Sequence, residues 1–167
     1  DQDSSAFFLP YGGPPQGGEV VRSVEGFPVS AQQMNVQFFV PDSLPEEAVL
    51  KVFVRDWDHL WWQVRVERFA GQFGRGAVSL SLPLTGREAA RRWQPSGHGR
   101  AWHHLMPLHV REVGVAFEPP APDSPAGEGQ GAGIYLTALT VEVDTQSAPP
   151  PTLSGLRVFP VAAEVLT

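Results

Sequence analysis

The residues best suited to chemistry lie on two consecutive apolar-polar segments, 48–56 and 60–69. Read as a hairpin, they put Phe53 and Arg55 of the first arm on one face with Trp61, Gln63 and Arg65 of the second. Asn35, Gln37 and Tyr135 are candidates to join them from neighbouring strands. A flat aromatic beside amides and guanidinium groups suits a sugar. The C–H faces of the sugar lie on the ring, and its hydroxyls bond to planar polar groups. The same composition serves protein interfaces. The plainer alternative is that loops or a terminal strand cover this face and Trp61 is part of the core.

Other candidate groups carry less. Asp56 and Asp58 could ligate a metal or form a carboxylate pair for glycosidic chemistry, but they sit in Asp56-Trp57-Asp58-His59, a run that favours a turn. His98, His103, His104 and His109 raise a metal site. However, His103 and His104 point to opposite faces if they lie in a strand, and no His-x-His or HExxH spacing occurs. No metal ligands and no cofactor are therefore assigned. Arg87, Arg91, Arg92, Arg100 and Arg111 make a locally basic stretch that could hold an anionic glycan or a partner's carboxylates. Its alternative is solvated loop charge. No GxSxG, GxGxxG or GxxxxGK[ST] is present, and the glycines of 127–133 precede a strand and lack a lysine. No catalytic residues are assigned and the domain is read as a non-enzyme.

The elements that must position these residues are strands. Residues 31–40 alternate, with Met34, Val36, Phe38 and Val40 on one face and Gln33, Asn35, Gln37 and Phe39 on the other. In the hairpin, Leu50, Val52, Val54, Trp62, Val64 and Val66 form the inward set. Val78, Leu80 and Leu82 continue the pattern, as do Val113, Val115 and Phe117 and the stretch 134–143. A first strand is expected near 20–24, and one strand each before and after a bend at His109. The segment 87–93 is helix-like but too short to stand as an element.

With 167 residues the chain can bury a full core as one domain. Seventeen glycines and 17 prolines fall mostly between apolar runs, the punctuation of many short strands. Eight or nine strands with no sizeable helix predict an all-β, antiparallel β-sandwich of jelly-roll type. The sandwich is expected over residues 1–147. A Pro-rich linker and one terminal strand, either the last of the sandwich or the first of a following domain, are expected over 148–167.

The formal charge of −6 argues against nucleic acid, which needs a basic face. No stretch reaches the ~20 apolar residues of a membrane span, so no membrane insertion is expected. The absence of cysteine removes disulfides and Cys-ligated zinc. The opening Asp1-Gln2-Asp3-Ser4-Ser5 suggests a processed, exported protein, extracellular or periplasmic.

Several segments together resemble the galactose-binding-like, jelly-roll carbohydrate-binding modules. They are Trp102 in GRAWHHL, REVGVAFEP at 111–119, a Gly-rich loop, and GIYLTALTVEV at 133–143. The hairpin 51–67 is similar to the central hairpin of those modules. The resemblance covers residues 30–143 and implies non-catalytic binding of a glycan or polysaccharide. The acidic residue that such modules often carry in the last strand has no counterpart near Thr137-Ala138, so calcium binding is not carried over. The competing reading is a structural or protein-assembly sandwich of the cell envelope or a surface complex.

Overall fold

Each alternating segment becomes a strand, because a side chain on every second residue can be buried while its neighbours stay wet. The computed structural model describes residues 6–11, 19–67, 75–119 and 131–144. Among these there are nine strands: β1 (Phe7–Pro10), β2 (Glu19–Ser23), β3 (Ala31–Val40), β4 (Val49–Asp56), β5 (Trp61–Glu67), β6 (Gly76–Pro83), β7 (Gln94–Ser96), β8 (Val110–Phe117) and β9 (Gly133–Val143). Two short helices, α1 (Gly86–Arg92) and α2 (Met106–His109), lie between β6 and β8. The linker and terminal strand expected within 148–167 lie outside the described residues, as do residues 68–69 at the end of the expected hairpin.

The strand pairs nest. β4 pairs with β5, β3 with β6, β2 with β8 and β1 with β9, all antiparallel. Rolling this long double strand also sets β3 beside β9 and β4 beside β8. The result is a four-stranded sheet, β1-β9-β3-β6, and a five-stranded sheet, β2-β8-β4-β5-β7. This is the jelly-roll form of the antiparallel β-sandwich.

The inward set is buried as expected. Leu50, Val52, Val54, Trp62, Val64 and Val66 share one core with Met34, Val36, Phe38, Val40, Leu80 and Leu82. Full burial of one such aliphatic side chain stabilises by about 1.5–3 kcal/mol.

Three departures from the sequence reading fall in the β6–β8 connection. The helix-like segment does form a helix, α1 (Gly86–Arg92), anchored by buried Ala89 and closed by the N–H of its C-cap Trp93 donating to the Ala89 carbonyl. Packing supplies what the short sequence lacks. Residues 94–96, which the sequence pattern assigns to no strand, add β7 to the edge of β5. The strand expected just before His109 is instead a loop and the single turn α2. Pro107 favours that turn, since it lacks an N–H and its fixed φ suits the first turn of a helix.

Trp93 stacks on Trp102 at 4.9 Å, and Trp62 meets Trp102 edge-on at 6.2 Å. All three rings are buried. Each indole N–H finds a backbone carbonyl: Trp62 that of Arg100 (3.1 Å), Trp93 that of Pro83 (2.8 Å) and Trp102 that of Leu84 (3.0 Å). The cluster thereby fastens the β6–β8 connection to the sheets. Trp93→Ala should cost about 3–5 kcal/mol of unfolding free energy. Trp93→Phe should cost less, about 1–3 kcal/mol, mainly for the Pro83 carbonyl left without its donor. Urea denaturation measures both.

Candidate functional site

The register of β4 with β5 pairs Lys51 with Arg65, Phe53 with Gln63, and Arg55 with Trp61. These six side chains therefore share the outer face of the five-stranded sheet. The five hairpin residues singled out from the sequence (Phe53, Arg55, Trp61, Gln63 and Arg65) are brought together.

Their arrangement is tighter than a free aromatic platform. Phe53 is 1% exposed, although it points away from the core. Its ring lies flat across β8 over its register partner Gly114, where an added Cβ would come 2.2 Å from Phe53 Cζ. Trp61 stacks on Phe53 with centroids 4.6 Å apart and planes 28° apart. The Arg55 guanidinium lies 4.0 Å from the Trp61 ring centroid. Glu112 at 3.0 Å and Glu19 at 3.4 Å hold that guanidinium in place. Trp61 is thus neither core nor fully free: it is half-buried, one member of a stack.

A depression of about 450 Å³ opens beside this stack. Phe53 and Trp61 line it with Gln63, Lys51, Ser96 and Glu19, and Ala116, Phe117 and Pro119 complete the wall. Arg65 is turned away from it. Its Nε and Nη2 donate to the two carboxylate oxygens of Glu118. Those hydrogen bonds and the Glu118 charge raise the Arg65 pKa above its ordinary value. Lys51, Ser96 and Glu19 were not singled out as site residues. Lys51 is legible as the same-face neighbour of Phe53, but Ser96 and Glu19 arrive through pairings of β7 and β2 that alternation does not reveal.

Asn35, Gln37 and Tyr135 do not join this group. They lie on β3 and β9, in the other sheet. The two sheets pack back to back, so their outer faces look in opposite directions. Asn35 is engaged locally, donating to Glu142 at 2.6 Å and accepting from Ser81 and Gln33.

Several of the remaining candidates are engaged in local contacts. The Asp56 carboxylate accepts the N–H groups of Asp58 and Leu60, both at 2.9 Å, and so builds the hairpin turn. Asp58 faces Arg100 at 3.4 Å. His98 Nδ1 accepts from the Arg100 N–H, which leaves the proton on Nε2, 2.7 Å from the Trp61 carbonyl. His103 and His104 occupy a loop, not a strand. Among the described residues, no group of three or more His, Cys, Asp or Glu side chains could hold a metal ion. The arginines of 87–111 disperse: Arg92 faces Glu88, Arg100 faces Asp58, and Arg111 lies 3.8 Å from the ring centroid of exposed Trp57. No helix among the described residues is long and apolar enough to cross a membrane.

No family model matches the chain, and no curated protein matches it. Among solved structures it is similar to SGBP-B from a complex xyloglucan utilization locus in Bacteroides uniformis, at 14% identity and a TM-score of 0.47. The match covers 83% of this chain and 39% of that one, so the chain spans well under half the length of that protein.

The Phe53–Trp61 stack depends on the missing side chain at position 114. Gly114→Ala should displace the Phe53 ring and loosen Trp61, at a cost of about 1–3 kcal/mol. Gly99→Ala, where an added Cβ meets nothing within 4 Å, is the control. Urea denaturation and tryptophan emission check the pair. Stability and emission unchanged in Gly114→Ala would contradict the stacked arrangement.

Proposed function

We propose that this domain is a non-catalytic carbohydrate-binding module whose site is the depression on the outer face of the five-stranded sheet. One observation carries the reading: the half-buried Trp61 ring, backed by the buried Phe53, stands beside hydrogen-bonding groups of several kinds on a rigid sheet. Gln63 offers an amide, Lys51 an ammonium, Ser96 a hydroxyl and Glu19 a carboxylate. A sugar presents both an apolar ring face and a rim of hydroxyls, and each has a counterpart here. The volume falls in the usual range for small-ligand sites, roughly 300–1,000 Å³.

The stack favours binding by pre-organisation. Phe53 and Trp61 are held by Gly114 and by the Glu112–Arg55–Glu19 cluster before any ligand arrives, so little side-chain freedom is lost on binding. On this reading the domain works where polysaccharides are met, outside the cytoplasm, as a module of an exported protein.

Affinity electrophoresis through gels containing soluble polysaccharides, neutral and acidic, tests the proposal. Trp61→Ala should weaken retardation at least fivefold while the far-UV spectrum and melting temperature show a retained fold. Gln63→Ala and Lys51→Ala should each weaken binding by about 0.5–1.5 kcal/mol, or roughly two- to tenfold. A wild-type domain retarded by no polysaccharide, which self-associates with concentration in light scattering, would instead mark a protein-assembly sandwich.

A further inference from the structure

The outer face of the four-stranded sheet carries a second arrangement of aromatics that the site above does not use. Phe8 on β1 pairs in register with Tyr135 on β9, and Tyr135 pairs with Phe39 on β3. The three side chains form a row running across the strands. They are 44%, 42% and 44% exposed, far more than the rings of the other face. Phe8 and Tyr135 touch at 5.0 Å between centroids, tilted by 47°. Phe8 lies over Gly133, where an added Cβ would come 2.7 Å from its ring. Strands sit about 4.8 Å apart, so the row is roughly 10 Å long.

A polar row runs parallel to it, two residues further along β3. Gln37 and Ser79 face each other in register there, and both are exposed. Neither side chain makes a hydrogen bond among the described residues. The next row beyond is occupied internally: Asn35 accepts from Ser81 and donates to Glu142.

We infer that this face is a second glycan-binding surface, which takes an extended, uncharged polysaccharide chain along the Phe8–Tyr135–Phe39 row. Its charge pattern points to that occupant. The aromatic row and the Gln37 and Asn35 rows contain no lysine or arginine. Arg75, two residues before Phe39's partner Ala77, is held by Asp42 at 3.2 Å, so these rows offer no unpaired counter-charge for a uronate, a sulfate or a phosphate backbone. What it offers is aromatic rings and neutral groups able both to donate and to accept, which match C–H faces and hydroxyls. A row of rings at one height supports a chain lying flat across the strands, whereas the depression on the other sheet encloses a short segment.

The inference shares the ligand class proposed above but uses different residues, so the two can fail separately. The test is affinity electrophoresis of the whole chain in gels containing hydroxyethylcellulose, mixed-linkage β-glucan or galactomannan, with polygalacturonate as the acidic comparison. Phe39→Ala and Tyr135→Ala should each weaken retardation by a neutral polysaccharide at least fivefold, Gln37→Ala about threefold, and none should alter the melting temperature by more than a few degrees. Because the faces look in opposite directions, wild type should also raise the viscosity of the polysaccharide it binds by bridging chains. Either Trp61→Ala or Tyr135→Ala should remove that rise. Binding lost in Trp61→Ala but unchanged in Phe39→Ala and Tyr135→Ala overturns this inference and leaves the depression standing. Binding lost in the latter two but unchanged in Trp61→Ala supports it and removes the depression. Self-association that Phe39→Ala abolishes, without affinity for any of these polymers, also overturns it and assigns the face to a second copy of the chain.

Discussion

Two sheets must each hide one face, and in this domain they hide them against each other. Met34, Val36 and Phe38 from one sheet and Val52, Val54, Val64 and Val66 from the other belong to one dry core. Because the side-chain period of a strand is two, that burial fixes where the alternate residues go. Lys51, Phe53 and Arg55 must point outward once Leu50, Val52 and Val54 point in, and Gln37 and Phe39 once Val36 and Phe38 do. Both candidate surfaces are by-products of the core's register. A slip of one residue would exchange core for surface along a whole strand.

The surfaces share a device. On each sheet a phenylalanine lies flat over a glycine of the neighbouring strand: Phe53 over Gly114 on one, Phe8 over Gly133 on the other. The ring covers backbone that the glycine leaves bare, and the missing Cβ gives the ring room. The outcomes differ because the surroundings differ. Around Phe53, Trp61 and the ion-paired Arg55 close in and bury the ring. Around Phe8, the neighbours Tyr135 and Phe39 are uncharged and no arginine among the described residues folds over them, so the rings stay open to solvent.

The alternating strands β3 to β6, β8 and β9, their facing and the central hairpin were legible in the sequence because alternation is a local property. The five hairpin residues Phe53, Arg55, Trp61, Gln63 and Arg65 share a face for the same reason. What was not legible was sheet membership. Asn35, Gln37 and Tyr135 carry the right chemistry and face outward, yet nothing local in residues 31–40 or 133–143 tells which sheet receives them. The burial of Phe53 was equally hidden, since it depends on Gly114, more than fifty residues away and meaningful only once β4 and β8 are paired. The stretch 101–109 misled because its apolar residues cluster without alternating. Pro107 was the signal that a turn, not a strand, occupies it.

The nesting of strand pairs has a consequence for how the chain is made. β3 lies between β6 and β9, and its side-chain bond from Asn35 to Glu142 spans 107 residues. During synthesis at about 5–20 residues per second, β3 therefore waits roughly 5–20 s before its last partner emerges. Through that interval the segment holding Met34, Val36 and Phe38 has at most one neighbour in place and offers an open, apolar edge to other nascent chains. β4 and β5, by contrast, can close on each other as soon as Glu67 is made. The same roll that gives the finished domain two outer faces bearing aromatics leaves the growing one half-zipped, and makes the interval between β3 and β9 the period of greatest exposure to misassembly.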